Sequence, residues 1–172
     1  VLGRFFALVK EVPSLSAAPE TALVPPRLAA LGRRGDAEIM AQLLRNPVLK
    51  EKALDQVYFS VSKSDPKVIN SIVSRALRAR AYIGLGKPAM AQKSAEAVFD
   101  DAERAGSLVR VAAAYDALGE GEKTQQLLAA ARGTVSADAS PFKKATVLSA
   151  FSRTAIAVGK MSWAEQPLHH AL

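Results

Sequence analysis

The sequence predicts an all-α fold, an α-solenoid of about three to four stacked antiparallel helix pairs. Alanine supplies about a fifth of the 172 residues and aromatic residues only 6%. Alanine is the strongest helix former, and its small side chain permits close helix contacts. The pattern Ala-x-x-Tyr-x-x-Leu-Gly occurs at residues 79–86 and recurs 33 residues later at 112–119. A period in the low thirties is typical of stacked helical repeats, in which no unit buries its apolar face alone.

The first 26 residues are predicted to form an N-terminal arm, and residues 27–172 the helical repeat domain. Apolar residues at helical spacing in residues 1–12 predict a short amphipathic helix. Prolines at positions 13, 19, 25 and 26 then interrupt the chain, and serine and alanine are frequent between the first two. This composition is typical of a linker or an extended packing arm.

The first helix pair is predicted to be short and irregular. A helix over residues 27–31 ends at Gly32, because glycine commonly terminates helices. Asp36 is expected to cap a second helix that ends near Arg45 and carries apolar residues on one side.

An extra helix without a partner is predicted over residues 47–61. Asn46-Pro47 provides its start, since proline is favoured at the first helical position. Residues 57–61 also suit a β-strand, but an isolated strand would have nothing to pair with. The helical interpretation is therefore preferred.

The second pair is predicted to begin with a long helix. Ser64-Asp65-Pro66 combines a capping side chain with a following proline and so predicts a helix over residues 66–83. Gly84 and Gly86 end it, and a partner helix is expected from Pro88 to about Arg104.

The third pair is predicted to begin at Ser107, as a cap, directly after Gly106 at the end of the preceding helix. Its first helix ends before Gly119, and its second helix spans residues 121–132.

The fourth pair repeats the same signals. Ser140-Pro141 starts a helix over residues 142–158, and Gly159 ends it. The pattern Ser162-x-x-Glu165 predicts a capping box for the last helix.

These helix pairs resemble tetratricopeptide repeats (TPR). The resemblance combines Ala-x-x-Tyr-x-x-Leu-Gly in the first helix with a small residue five positions after the glycine, as at Ala37, Ala91 and Ala164; Thr124 departs from it. It covers about residues 27–172. In that family the first helices line a concave groove, so the resemblance implies a non-catalytic scaffold or adaptor that binds a peptide or a partner subunit there.

The spacing of the repeats is irregular. The glycines that end the first helices, Gly32, Gly86, Gly119 and Gly159, are separated by 54, 33 and 40 residues. A helical bundle without repeats is therefore the alternative fold.

By the resemblance, the polar groove residues are Arg80, Asp116 and Arg153. Arg80 falls within an apolar stripe of its helix, where an arginine needs a partner or a route for its charged end to water. Two interpretations are open: an internal salt bridge, or a contact to an anion such as a carboxylate of a partner.

Arg75 and Arg78 are one helical turn apart, and Tyr82 lies on the same side. Two guanidinium groups beside an aromatic ring suit a phosphate or a stacked base. The same arrangement also describes an exposed face on which the arginines cover Tyr82. A basic RNA-binding helical repeat is therefore one alternative function.

The net charge of +7 is uneven. Residues 1–93 carry 15 Lys/Arg and 7 Asp/Glu, whereas residues 94–172 carry 8 and 9. A positive field favours an acidic partner. The other alternative function is a structural subunit of a larger complex, with the arm and the basic half packed on neighbouring subunits.

The sequence does not predict an enzyme, and it predicts neither cofactor-binding nor metal-binding residues. No nucleophile has an identifiable base, and Gly84-Leu85-Gly86-Lys87 lacks the rest of the phosphate-loop pattern. His169 and His170 are adjacent and point about 100° apart on a helix, so they do not form a metal-binding pair.

The chain is expected to be soluble, because no stretch approaches the roughly 18 consecutive apolar residues of a membrane span. Cysteine is absent, so the choice among cytoplasm, periplasm and organelle stays open. The start at Val1 and the end at Leu172 inside a helical pattern suggest a piece of a longer array. The partner and the oligomeric state are not determined by the sequence.

Overall fold

The computed structural model describes residues 2–64, 66–136 and 139–165, and every regular element in these ranges is helical. The predicted all-α fold is therefore confirmed. Two short 3₁₀ helices, Pro19–Leu23 and Pro66–Ser71, accompany the α-helices. The α-helices are α1 (Leu2–Glu11), α2 (Pro13–Ala17), α3 (Val24–Ala30), α4 (Arg34–Leu43), α5 (Pro47–Ser64), α6 (Arg75–Gly84), α7 (Pro88–Glu96), α8 (Asp101–Asp116), α9 (Gly121–Arg132), α10 (Pro141–Ala157) and α11 (Met161–Glu165).

Four helix pairs pack around the glycine turns that the sequence predicted. Gly32, Gly86, Gly119 and Gly159 have φ values of 75°, 67°, 76° and 79°, a conformation that glycine adopts without steric cost. After each glycine, the next backbone N–H donates to the carbonyl four residues before the glycine, at 2.8 to 3.0 Å. The same closing geometry thus links α3 to α4, α6 to α7, α8 to α9 and α10 to α11.

The predicted long helix over residues 66–83 is wrong. The chain instead forms the 3₁₀ helix Pro66–Ser71, and α6 begins only at Arg75. The side chain of Ser74 accepts a hydrogen bond from the backbone N–H three residues later, at 3.3 Å, and so caps α6. The break also lets Ile72 turn into the core, where it is 1% exposed.

The predicted boundary between the second and third pairs is also wrong. Helix α7 ends well before Arg104, and Asp100 caps α8 by accepting a hydrogen bond from the N–H of Glu103 at 2.8 Å. Gly106 and Ser107 therefore lie inside α8, not at a helix junction. An aspartate cap followed by acidic residues in the first turn is a stronger start than a serine after a glycine.

Two other predicted caps differ. Helix α4 begins before Asp36, whose carboxylate pairs with Arg33 (Nη2 to Oδ2, 2.6 Å) instead of capping the helix. Ser162 lies inside α11 and not before it. Asp65, in the predicted start signal at residues 64–66, and the C-terminal residues 166–172 with their two histidines lie outside the described residues.

Residues of the N-terminal arm pack on the rest of the chain. Val9 is 1% exposed and belongs to the same buried cluster as Leu28 and Met40. The backbone N–H of Arg45 donates to the carbonyl of Ser16 at 2.9 Å. Because α3 begins at residue 24, the predicted boundary after residue 26 falls within a helix; the division into an arm and a domain stays a prediction.

Helix α5, predicted as an extra helix, occupies a central position. It contacts α3 and α4 on the N-terminal side, and α6 and α10 further along the chain. Helix α8 in turn contacts α6 and α10. Helices α5, α6, α8 and α10 therefore form a ring, and the candidate site lies between them.

Candidate functional site

Four charged side chains meet inside the ring of helices. Glu51 and Asp55 lie one turn apart on α5, Arg80 lies on α6 and Arg110 lies on α8. Arg80 binds both carboxylates through its two terminal nitrogens. Arg110 binds Glu51 through Nη2, and its Nε lies 2.9 Å from Oδ1 of Asp55. We call these four residues the ion-pair network.

The two arginines of the network are buried. Their side chains are 7% and 6% exposed, whereas those of Glu51 and Asp55 are 16% and 29% exposed. Each arginine also donates Nη1 to a backbone carbonyl at 3.1 Å, Arg80 to Glu51 and Arg110 to Gly106. Buried charges are tolerated only when they are paired and hydrogen-bonded, and the network supplies both kinds of contact.

The electrostatics of the network favour the ionised form of Glu51. Burial raises the pKa of Glu51, but the guanidinium groups of Arg110 and Arg80 outweigh it and the net pKa lies below its usual value. Burial lowers the pKa of Arg80, but Asp55 and Glu51 more than offset this effect. For Arg110, burial and repulsion from Arg80 prevail, and the pKa is lowered. The network therefore raises the pKa of one arginine and leaves that of the other lowered.

Two cavities adjoin the network. The first cavity, of about 560 Å³, is lined by α5, α6, α8 and α10 and combines charged groups with apolar ones, including Phe59, Ile83 and Val158. The second cavity, of about 380 Å³, is lined mainly by polar and charged side chains. Arg80 and Arg110 line both cavities, so the network borders both spaces.

A third arginine, Arg153 on α10, lines the second cavity. Its charge contributes to the lowered pKa of Glu51. The Nε atoms of Arg153 and Arg80 are buried and have no hydrogen-bond partner. Buried polar groups are nearly always paired, so these two nitrogens require an explanation.

The structure brings together two of the six sequence-predicted partner-binding residues, Arg80 and Arg153, at the second cavity. Arg80 forms the internal salt bridge that was one of the two interpretations of its position. Asp116 lies elsewhere, at the end of α8, and its Oδ2 is 2.5 Å from Nζ of Lys160.

The other three predicted residues, Arg75, Arg78 and Tyr82, lie on α6 but line neither of the two cavities. The guanidinium of Arg75 stacks 4.7 Å from the ring centre of Phe99 and donates to the carbonyl of Ala97. Arg78 donates Nε to the carbonyl of Ile72 at 3.0 Å. Tyr82 is partly buried, and its hydroxyl pairs with Asn70 at 3.2 Å. Both guanidinium groups therefore already donate to backbone carbonyls.

Sequence reasoning missed Glu51, Asp55 and Arg110, although each gave a signal. Arg110 is a single charged residue in the run Leu-Val-Arg-Val-Ala-Ala-Ala, so, like Arg80 in its apolar stripe, it needs a partner or a route to water. Glu51 and Asp55 are four residues apart, which places two carboxylates on one face of the extra helix. Two arginines that fall among apolar residues of their helices, together with one acidic pair, indicate a buried ionic cluster.

Three apolar side chains are highly exposed near the starts of α6, α8 and α10. Val73 precedes the cap of α6, Phe99 precedes the cap of α8, and Phe142 lies in the first turn of α10. They are 91%, 86% and 83% exposed. We call these three residues the apolar row. Contiguous exposed apolar surface is a feature of protein interaction sites.

Within residues 2–64, 66–136 and 139–165, no group of three or more His, Cys, Asp or Glu side chains is arranged to hold a metal ion. None of the helices in the part of the chain that the structure describes is both long and apolar enough to cross a membrane. Searches with protein-family models, among curated proteins and among solved structures found no significant match.

Proposed function

We propose that this chain is a non-catalytic scaffold or adaptor that binds an extended peptide or a segment of a partner protein in the first cavity. The observation that carries the proposal is the composition of that cavity, in which Phe59 and Ile83 lie beside Lys52 and the ion-pair network. Binding sites typically combine mostly apolar walls with a few charged groups that fix the orientation of the ligand.

The repeated helix pairs support this proposal. The four pairs share one turn geometry at Gly32, Gly86, Gly119 and Gly159. We interpret them as four TPR-like repeats of an irregular α-solenoid, with α5 inserted after the first. In this interpretation α6, α8 and α10 are the first helices of successive repeats, and the first cavity is the part of their concave surface that α5 leaves open.

Phe59 is the residue on which binding is expected to depend most. It lies on α5, lines the first cavity and is 47% exposed, so an apolar side chain of a partner can cover it. Burying such a ring contributes to affinity through its large apolar area. Lys52, about two helical turns from Phe59 on the same helix, provides a positive charge for an acidic residue of the same partner.

A phage-displayed peptide library selected on the whole chain tests the proposal. Peptides that bind the unchanged protein should lose about tenfold or more in affinity for Phe59→Glu and should keep their affinity for Phe142→Glu. The second variant is a matched control, because Phe142 is an exposed phenylalanine that does not line the first cavity. A library without binders, or peptides that bind Phe59→Glu equally well, would overturn the proposal.

The apolar row favours a second candidate function, a structural subunit of a larger assembly. Val73, Phe99 and Phe142 are each more than four-fifths exposed, and this surface would be buried in an assembly. Sedimentation velocity of the unchanged chain and of the triple variant Val73→Ser, Phe99→Ser, Phe142→Ser tests this function. Association that rises with concentration only in the unchanged chain would support it, and a monomer at every concentration would argue against self-assembly through this row.

A further inference from the structure

We propose that the second cavity is an oxyanion-binding site, which takes one carboxylate or phosphate group between α6, α8 and α10. This site is distinct from the peptide groove of the first cavity.

The buried charged side chains at the second cavity are those of Arg80 and Arg110. In the buried cluster the guanidinium groups of Arg80, Arg110 and Arg153 face the two carboxylates of Glu51 and Asp55. These five side chains carry one net positive charge, and Lys50, Asp100 and Glu103, which also line the cavity, bring the sum to zero. Burial lowers the pKa of Arg110, and repulsion from Arg80 lowers it further. A bound anion close to the arginines would favour their charged forms.

Two arginines at the second cavity have an Nε donor without a hydrogen-bond partner. Arg80 is 8% exposed, and its Nε, like that of Arg153, is buried without a hydrogen-bond partner. Both residues line the second cavity. An unpaired buried donor destabilises the folded state, so an acceptor that enters the cavity and pairs with it should bind favourably. Guanidinium groups bind carboxylate and phosphate with paired hydrogen bonds.

The remaining charged residues along the cavity are Lys50, Asp100 and Glu103. Lys50 lines it and adds a positive charge. Asp100 and Glu103 also line it, but both are exposed, and the carboxylate of Asp100 accepts the cap hydrogen bond of α8. A volume of about 380 Å³ is at the small end of ligand pockets, which suits a single acidic group or a small organic acid.

Arg153 is the residue that tests the site. Arg153 forms none of the ion pairs of the network, and it is only partly buried, so Arg153→Gln should fold and retain the network. Arg27→Gln is the matched control, since Arg27 is exposed on α3 and lines neither cavity.

The experiment measures the unfolding midpoint Tm of the whole chain in sodium phosphate, sodium glutarate and sodium chloride of equal ionic strength. Phosphate or glutarate should raise Tm by about 3–6 °C over chloride at concentrations about twentyfold above Kd. The rise should be the same in Arg27→Gln and absent in Arg153→Gln. The anion with the larger effect identifies whether the site prefers a phosphate or a carboxylate.

NMR provides a second measurement, which observes the arginine Nε–H donors directly. In NMR spectra of the arginine Nε–H groups, titration with the stabilising anion should shift the signals of Arg80 and Arg153 and leave that of Arg27 unchanged. The inference is overturned if neither anion exceeds chloride, or if Arg153→Gln responds like the unchanged chain. Because the probes are free anions and no peptide is present, failure here leaves the peptide groove of the first cavity unaffected.

Discussion

Nε of Arg110 lies 2.9 Å from Oδ1 of Asp55, across 55 residues of sequence. Asp55 also binds Arg80, and Glu51 binds the same two arginines. Each carboxylate thus joins α5 to both α6 and α8. The inserted helix is therefore fixed to the helix pairs by charge as well as by apolar packing.

The first prediction concerns Arg80. Arg80→Met should lower the free energy of unfolding by about 3 kcal/mol or more, because it leaves Glu51 and Asp55 with one buried cation between them. Arg27→Met, an exposed change, should alter it by less than about 0.5 kcal/mol. Urea unfolding followed by circular dichroism gives both values. If Arg80→Met lowers the free energy of unfolding no more than Arg27→Met does, the network does not stabilise the fold.

The second prediction concerns pH. The folded-state pKa of Glu51 lies below its ordinary value of 4.5. A depressed pKa contributes stability that is fully present above the unfolded value and is lost as pH falls through the folded value. The unchanged chain should therefore lose this contribution below about pH 4.5.

Glu51→Gln separates this contribution from those of the other carboxylates. The variant should be less stable at pH 7, and its difference from the unchanged chain should shrink as pH falls below about 4.5. Glu11→Gln, an exposed change on α1, should give the same curve as the unchanged chain. Urea unfolding between pH 3 and pH 7 measures the three curves. A difference that stays constant with pH would mean that the charge of Glu51 is not what matters.

Local signals in the sequence predicted most of the helices. Pro47 and Ser140 started the helices α5 and α10 as expected, and the span of residues 121–132 matches α9. The errors arose where two local signals competed. Pro66 and Ser107 both resemble helix starts in the sequence, but Ser74 and Asp100 provide the caps. Propensity alone does not decide such cases, because burial of nearby residues such as Ile72 contributes.

The candidate site was predictable only in part. The position of Arg80 in an apolar stripe indicated that it needs a partner, and the structure supplies Glu51 and Asp55. Which helix would bring that partner was not predictable, because it depends on how α5 packs against α6 and α10. Long-range placement of a helix without a repeat partner has no local signal in the sequence.

The third prediction concerns Tyr58, which connects α5 to α4. Its side chain is fully buried, and its hydroxyl donates to Oε1 of Glu38 at 2.6 Å. Burial raises the pKa of Tyr58, and the hydrogen bond with Glu38 raises it further, so the hydroxyl stays protonated and able to donate. Tyr58→Phe should cost about 1.5–3 kcal/mol, the usual contribution of a hydrogen bond to a charged group.

Tyr82→Phe is the matched control for this change. The hydroxyl of Tyr82 pairs with Asn70 at 3.2 Å in an exposed position, so its removal should cost less than about 1 kcal/mol. Thermal unfolding of both variants compares the two hydroxyls. Equal costs would show that Arg34, which also binds Glu38 at 2.6 Å, satisfies this carboxylate without Tyr58.

The fourth prediction concerns the close contact between α5 and α6 at Gly84. A Cβ at this position would lie 2.9 Å from Cα of Phe59, a backbone atom that cannot move away without shifting α5. Gly84→Ala should therefore cost about 1–3 kcal/mol, as overpacking of a tight contact does. Because α5 carries Glu51 and Asp55, the shift should also weaken the coupling between Arg80 and these carboxylates.

Gly121→Ala is the control for Gly84→Ala, since a Cβ at Gly121 meets nothing within 4 Å and the residue begins α9. It should be neutral or stabilise by about 0.4–1 kcal/mol, because alanine restricts the unfolded chain. A double-mutant cycle with Arg80→Met then tests the connection to the network. In the Gly84→Ala background, Arg80→Met should cost at least about 0.5 kcal/mol less than in the unchanged chain, a difference above the usual error of additivity. Strict additivity would mean that the two helices can separate at Gly84 without moving the carboxylates.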